Sequence, residues 1–232
     1  LKGGNKRNAI PREANAILAL SDEAKAKSIL SDVEAETKQA IGKFDPGLQI
    51  SLEPTALPAK IIVDADAKVV VNTLFTMLNG VVAMSSDIPG LVQTSTNLGV
   101  LDTQDDVVSF YMLHRSSIDS SKMTVVDRVS AHCALAGFDT THIGGYPGWK
   151  PEPNSDLVKI VSGVYKEING SEIKIVAIHA GLECGIIGEK YPGMQMISIG
   201  PDMWEVHTPE EHVSIPSVAK FCKFLAAILA KK

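Results

Sequence analysis

Apolar residues recur at helical spacing from Ala26 through Ile29, Leu30, Val33 and Ala40 to Ile41, with charges between them. This predicts an amphipathic helix with Ser21 as its N-cap. The preceding run, residues 9–20, reads as a strand, and 48–52 as a second short one after the turn signal Asp45-Pro46-Gly47. A second helical stripe, Val70, Val71, Leu74, Met77, Leu78, Val81 and Val82, predicts a helix starting after Asp64 or Asp66. Residues 94–101 and 107–115 are rich in β-formers and flank the polar stretch 102–106, which predicts an antiparallel hairpin. Val125, Val126, Val129, Cys133 and Ala136 then mark a third helix, capped near Ser120 or Ser121 and ended by Gly137. Residues 140–143 read as a short strand leading into Gly144-Gly145-Tyr146-Pro147-Gly148-Trp149.

The pattern changes after Lys150-Pro151-Glu152-Pro153-Asn154, the best linker candidate in the chain. A helix over 155–168 ends at Asn169-Gly170, and a last helix follows Pro216, a residue suited to a first helical turn. Between them, 173–178 and 194–199 are almost continuously apolar, as strands buried on both faces are. The fold class is therefore α/β. An antiparallel sheet with helices occupies 1–149, and 150–232 is an incomplete parallel-type α/β domain, since two strands and two helices cannot cover both faces of such a sheet.

Composition narrows the function classes. The chain has 232 residues, 22 Lys plus Arg against 27 Asp plus Glu, and a net charge of -5. That balance argues against a nucleic-acid partner, and no apolar run reaches the ~20 residues of a membrane helix. Three widely spaced cysteines, Cys133, Cys184 and Cys222, offer neither a disulfide framework nor a Cys-based zinc site, and fit a reducing, cytoplasmic setting. The start, Leu1-Lys2-Gly3-Gly4, has no Met and no apolar signal region, and reads as the interior of a longer polypeptide.

Ligands of open α/β sheets bind beyond the carboxyl ends of the strands. Two loops leave such ends, 179–185 and 201–212, and His179, Glu183 and His207 are their candidate metal-binding groups. A loop histidine is more commonly hydrogen-bonded or solvated than a ligand. His207 and His212 do not form a zinc-helix pattern, and Pro209 interrupts any helix there. Glu210 and Glu211 read as a helix-start or solvated pair. Arg115 ends the second hairpin strand, where its guanidinium can clamp a carboxylate in bidentate fashion or pair with Asp119. Asn8, at a strand entrance, can donate an amide to a substrate or simply shape a turn. No nucleophile elbow, dinucleotide fingerprint or phosphate loop is present.

Five blocks carry a resemblance: Arg7-Asn8-Ala9-Ile10-Pro11-Arg12-Glu13-Ala14; Thr94 to Val100 with His114-Arg115-Ser116-Ser117-Ile118-Asp119-Ser120; Gly145-Tyr146-Pro147-Gly148-Trp149; Ile178-His179-Ala180-Gly181-Leu182-Glu183-Cys184-Gly185; and Ser198-Ile199-Gly200-Pro201 followed by His207-Thr208-Pro209-Glu210-Glu211. In this order and spread over nearly the whole chain, they resemble the aminoacyl-histidine dipeptidases, or Xaa-His dipeptidases. The resemblance implies a dimeric, cytoplasmic metallopeptidase with two zinc ions, whose lid or dimerisation domain (1–149 here) is inserted into a catalytic domain (150–232 here).

It further implies that His207 is a zinc ligand and that Arg115 binds the C-terminal carboxylate of a dipeptide. Asn8 would reach substrate from the lid, across to a site in trans. Gly181 would lie beside substrate, with Glu183 supporting its loop. The family's other metal ligands and its general-base glutamate precede the lid and are not in this chain. The family's lid histidine sits in a Lys-Gly-Gly-His-Ser-Gly motif, whereas here Lys2-Gly3-Gly4 is followed by Asn5: either Gly3-Gly4 belongs to a later family segment ahead of the Arg-Asn-Ala-Ile-Pro block, or an intervening stretch has been removed. On this basis the expected function is that of a zinc dipeptidase fragment, inactive in isolation. A non-catalytic dimerisation or substrate-binding module and an aminoacylase on the same scaffold are the competing expectations.

Overall fold

Three antiparallel ladders meet on one long strand. β4 (Val92–Gln104) pairs with β1 (Lys2–Gly3) at Leu101 and Asp102, and with β3 (Gly80–Met84) at Val92 to Thr96. β5 (Val107–Ser116) lies alongside it, and β2 (Ala14–Asn15) extends the sheet from β1. The computed structural model describes residues 1–176, 183–206 and 209–231. Among them are six helices: α1 (Glu23–Ile41), α2 (Asp64–Thr76), α3 (Asp119–Leu135), α4 (Asp156–Asn169), α5 (Glu183–Lys190) and α6 (Ile215–Leu229). A two-residue ladder, β6 (Met203–Trp204) with β7 (His212–Val213), completes the mixed α/β fold.

The chain divides into two compact units. The first comprises Leu1–Thr76 and Leu98–Met112, the second Met77–Asn97 and Leu113–Lys232. The division passes through β4 after Asn97 and through β5 after Met112, so both strands contribute to both units. The 149/150 step lies inside the second unit.

In the first unit, α1 begins at Asp22, whose carboxylate accepts from the Lys25 amide, one residue beyond the expected cap. Its apolar stripe is not covered: Ile29, Val33 and Ile41 are all more than a third exposed, and α1 buries no residue fully. The strand expected over 9–20 shrinks to Ala14–Asn15, and 48–52 joins no ladder. Arg12, Glu13 and Asn15 break the apolar run, and Pro54 removes a donor after the second.

The second unit holds the better-packed core. Val125, Val129 and Cys133 are buried along one face of α3 at four-residue spacing. α4 packs on α6 through Val161, Val164 and Phe224, where the Tyr165 and Phe224 rings meet edge to face with centroids 5.4 Å apart. α4 has a clear start and stop: the Ser155 hydroxyl accepts from the Val158 amide, and Gly170 closes it in the left-handed conformation. α6 is opened by Ser214, with Pro216 in its first turn.

Four expectations change here. The stripe assigned to one helix through Val82 is split, because α2 ends at Thr76 and Gly80, at a φ of 94°, turns the chain into β3. The hairpin loop is tighter than five residues, since β4 runs on to Gln104 and Asp105 takes a φ of 54° at the turn. Residues 140–143 form no strand. Nor do the described residues of the two apolar runs, 173–176 and 194–199, which find no ladder partner. Ile173, Ile197 and Ile199 instead pack against the α4–α6 core, while Ile175 and Val176 remain 51% and 64% exposed. Their hydrophobicity reflects burial on one side.

Candidate functional site

At the end of β5, two buried threonines of β4 are tied to polar side chains. Thr94 and Thr96, on β4, are 1% and 2% exposed. A buried hydroxyl without a partner is costly, and both are satisfied from β5. Thr94 Oγ1 lies 2.9 Å from Ser116 Oγ, and Thr96 Oγ1 lies 2.8 Å from His114 Nδ1. Ser116 Oγ also accepts from the Ile118 amide at 3.0 Å, at the start of α3, and the Ser117 amide donates to the Gln93 carbonyl at 3.1 Å. Strand alternation puts Arg115, half-buried, on the opposite face of the sheet from His114 and Ser116. Burial, reinforced by the neighbouring His142, lowers the pKa of His114 and favours its neutral ring.

Three residues on, Asp119 opens α3 and holds the Tyr146-Pro147-Gly148 segment. Its Oδ1 accepts from the Gly148 amide at 3.0 Å and from Lys122 Nζ at 2.6 Å, and the same ammonium donates to the Tyr146 carbonyl at 2.7 Å. Gly148 and Gly185 are glycines for lack of space. A Cβ on Gly148 would sit 2.6 Å from the Ser116 oxygen, and one on Gly185, in α5, 2.8 Å from the Pro147 oxygen. Beside this contact lies a cleft of about 290 Å³ lined by Asp119, Gly148, Trp149, Cys184, Glu189 and Met196, among others. Cys184 is half-buried there, and its thiol is pushed up by burial with a smaller contribution from the Glu183 carboxylate.

Burial works against ionisation of Asp119, but Lys122 and the Gly148 amide outweigh it and hold the carboxyl below its ordinary range. Because the folded pKa is the lower one, the stabilisation is present above the unfolded pKa and disappears as the pH falls through the folded value. Asp119→Asn is therefore expected to melt lower than the parent chain at neutral pH and to lose less stability on acidification below about pH 4. Thermal melts of both proteins across that range check this; parallel curves would refute it.

The residues singled out from the sequence fall in different places. Asn8 is exposed in a turn of the first unit, where the Ala9 amide donates to the Lys6 carbonyl. Arg115 and Glu183 belong to the second unit, with Glu183 exposed in the first turn of α5, where a carboxylate suits the helix dipole. Neither lines the cleft. Gly181, His179 and His207 lie outside the described residues. His212 is accounted for structurally: its Nδ1 donates to the Glu210 carbonyl at 2.8 Å and its ring stacks on Trp204. Among the described residues no three His, Cys, Asp or Glu side chains form a group able to hold a metal ion. No helix among them is long and apolar enough to cross a membrane.

The sequence reading missed the His114–Thr96 pair and the Asp119–Lys122 clamp. The second had a local signal, an acidic and a basic residue three apart at a helix start. The first had none, because the strand register that pairs residue 96 with 114 is not visible in either strand alone.

Residues 15–231 match Peptidase family M20/M25/M40. The chain belongs to that family. Cytosol non-specific dipeptidase of Escherichia coli (strain K12) is 35% identical over 229 residues, which cover 98% of this chain and 47% of that protein. The crystal structure of aminoacylhistidine dipeptidase from Vibrio alginolyticus aligns with a TM-score of 0.89 and 36% identity, again over 98% of this chain and 47% of the other. Aminopeptidase PepT from Bacillus cereus ATCC 10987 shares the fold at a TM-score of 0.56 and 18% identity, over 70% of this chain and 44% of its own. The chain thus spans about half the length of the two dipeptidases it matches. The resemblance to aminoacyl-histidine dipeptidases drawn from the five motif blocks agrees with the family match.

Proposed function

We propose that this chain is the lid and C-terminal catalytic segment of a zinc-dependent, cytoplasmic dipeptidase that cleaves Xaa-His-type dipeptides. The observation that carries the reading is the alignment of 98% of the chain, at a TM-score of 0.89, with an aminoacylhistidine dipeptidase. In this proposal residues 1–149 are the lid and 150–232 the catalytic segment. His207 is one ligand of a two-zinc site, and the other ligands and the general base come from residues outside this chain. One imidazole cannot hold two metal ions, so the chain alone is expected to be inactive.

What the chain contributes is substrate placement. Arg115, at the end of β5, presents five guanidinium donors in a planar fork that suits the C-terminal carboxylate of a dipeptide. Fixing that carboxylate at one point makes the site a ruler, since a longer peptide would set its scissile bond elsewhere. Asn8 contributes an amide from the lid. In this reading Gly181 would lie beside bound substrate, and Glu183, in the first turn of α5, would support that segment. The uncovered apolar stripe of α1, Ile29, Val33 and Ile41, supports a homodimer through the lid.

The test compares the isolated chain with the complete enzyme, meaning this chain together with the half carrying the remaining ligands. With zinc added, the complete enzyme is expected to hydrolyse an Xaa-His dipeptide and the isolated chain to leave it intact. His207→Ala in the complete enzyme is expected to lower bound zinc as measured by metal analysis. Hydrolysis by the isolated chain would overturn the division of labour, and no hydrolysis by the complete enzyme would overturn the dipeptidase reading.

A further inference from the structure

Arg115 stands between two cross-strand ties. His114 binds Thr96 on one side of it in sequence and Ser116 binds Thr94 on the other, at 2.8 and 2.9 Å. Both threonines are almost wholly buried, so each tie is shielded from competing water and each hydroxyl depends on its partner. Strand ends fray, and a one-residue slip of β5 would carry Arg115 to the other face of the sheet. Ser116 is doubly engaged, because it also accepts from the Ile118 amide ahead of α3. Toward the hairpin, the tie next to Arg115 is the imidazole.

We propose that His114 is a positioning residue for the carboxylate-binding guanidinium of Arg115, acting through its hydrogen bond to Thr96. The inference rests on the reading of Arg115 as the substrate anchor. His114 touches no substrate. It holds the register of β5 where the anchor leaves the strand, and thereby selects for substrates with a free carboxylate at the correct distance. The neutral ring favoured by burial suits this task, since it binds a hydroxyl without bringing a charge beside two buried threonines.

The test uses the complete enzyme and two substrates, a dipeptide and the same dipeptide as its C-terminal amide, which offers Arg115 no charge. His114→Ala is expected to raise KM for the free dipeptide about tenfold, the loss of roughly one hydrogen bond's worth of placement, with kcat within about twofold. KM for the amide should not change. His114→Asn, whose side-chain amide can occupy the Nδ1 position, should restore KM for the free dipeptide to within about threefold. Thr96→Val should repeat the His114→Ala result, and it serves if that variant does not fold.

A KM increase shared equally by both substrates, or none in His114→Ala and Thr96→Val, would overturn the proposal. Arg115→Ala separates the two levels. If it loses the distinction between acid and amide while His114→Ala keeps it, the anchor stands and only the positioning role falls. If Arg115→Ala retains the distinction, the anchor reading falls and takes this one with it.

Discussion

Arg115→Ala is expected to raise the KM of the complete enzyme for an Xaa-His dipeptide by about 10- to 100-fold, on the general worth of hydrogen bonds to a charged group, about 1.5–3 kcal/mol. On the proposed anchor role most of the effect should fall on KM, because an anchor that holds the carboxylate before and during reaction alike contributes equally to both states. Arg115→Lys should recover only part of the loss, since an ammonium keeps the charge but not the planar pair of donors. Arg115 is half-buried at the end of β5, where removing a side chain leaves the strand's ties at His114 and Ser116 in place, so the fold should survive. Steady-state kinetics with a dipeptide and its amide decide the matter. An unchanged KM in the alanine variant would remove the anchor from the mechanism.

The largest loss of stability is expected from a residue with no side chain. Gly4 has a φ of 61°, and a Cβ added there would lie 2.0 Å from the Gly99 carbonyl oxygen, with Pro11 Cβ 3.3 Å away. Gly99 is constrained in turn: its own Cβ would fall 2.6 Å from Arg7 Cα and from the Lys6 oxygen. The two glycines let the turn that carries Asn8 lie directly on β4. Gly4→Ala combines a left-handed alanine, costing about 1–2 kcal/mol, with overpacking against backbone, costing about 1–3 kcal/mol. Urea denaturation of the chain should show a midpoint clearly below that of the parent. Gly3→Ala is the control, because its nearest neighbour is the Ala14 methyl at 3.3 Å and its φ is not positive. Equal midpoints for Gly4→Ala and the parent would show that the turn can move aside without cost.

Much of the architecture was legible in the chain. The β4–β5 hairpin announced itself through its β-branched residues and the aspartates of its turn. α4 could be placed to within a residue or two, because Ser155 and Gly170 are strong start and stop signals. What misled was local ambiguity that only packing resolves. Val81 and Val82 continue the α2 stripe in phase, yet they belong to β3, since Gly80 breaks the helix and β4 offers a ladder. α5 went unread because Gly185 and Gly188 depress its propensity, although Gly185 is there to admit the Pro147 backbone. The runs at 173–176 and 194–199 promised strands by hydrophobicity alone, and without a ladder partner such segments remain apolar connections on a helical core. The strand-end position of Arg115 was legible in the pattern. The tie between its neighbour His114 and Thr96 was not, because the two lie 18 residues apart.

The passage of β4 and β5 through both compact units has a practical side. Neither unit is a contiguous stretch of polypeptide, so no single cut yields either one as an independent protein. Recombination between homologues would have to exchange segments with crossover points near residues 76, 97 and 112 to move one unit intact. A chimaera joined only near 97, or only near 112, would combine strand halves from two ancestries within the same hydrogen-bonded hairpin.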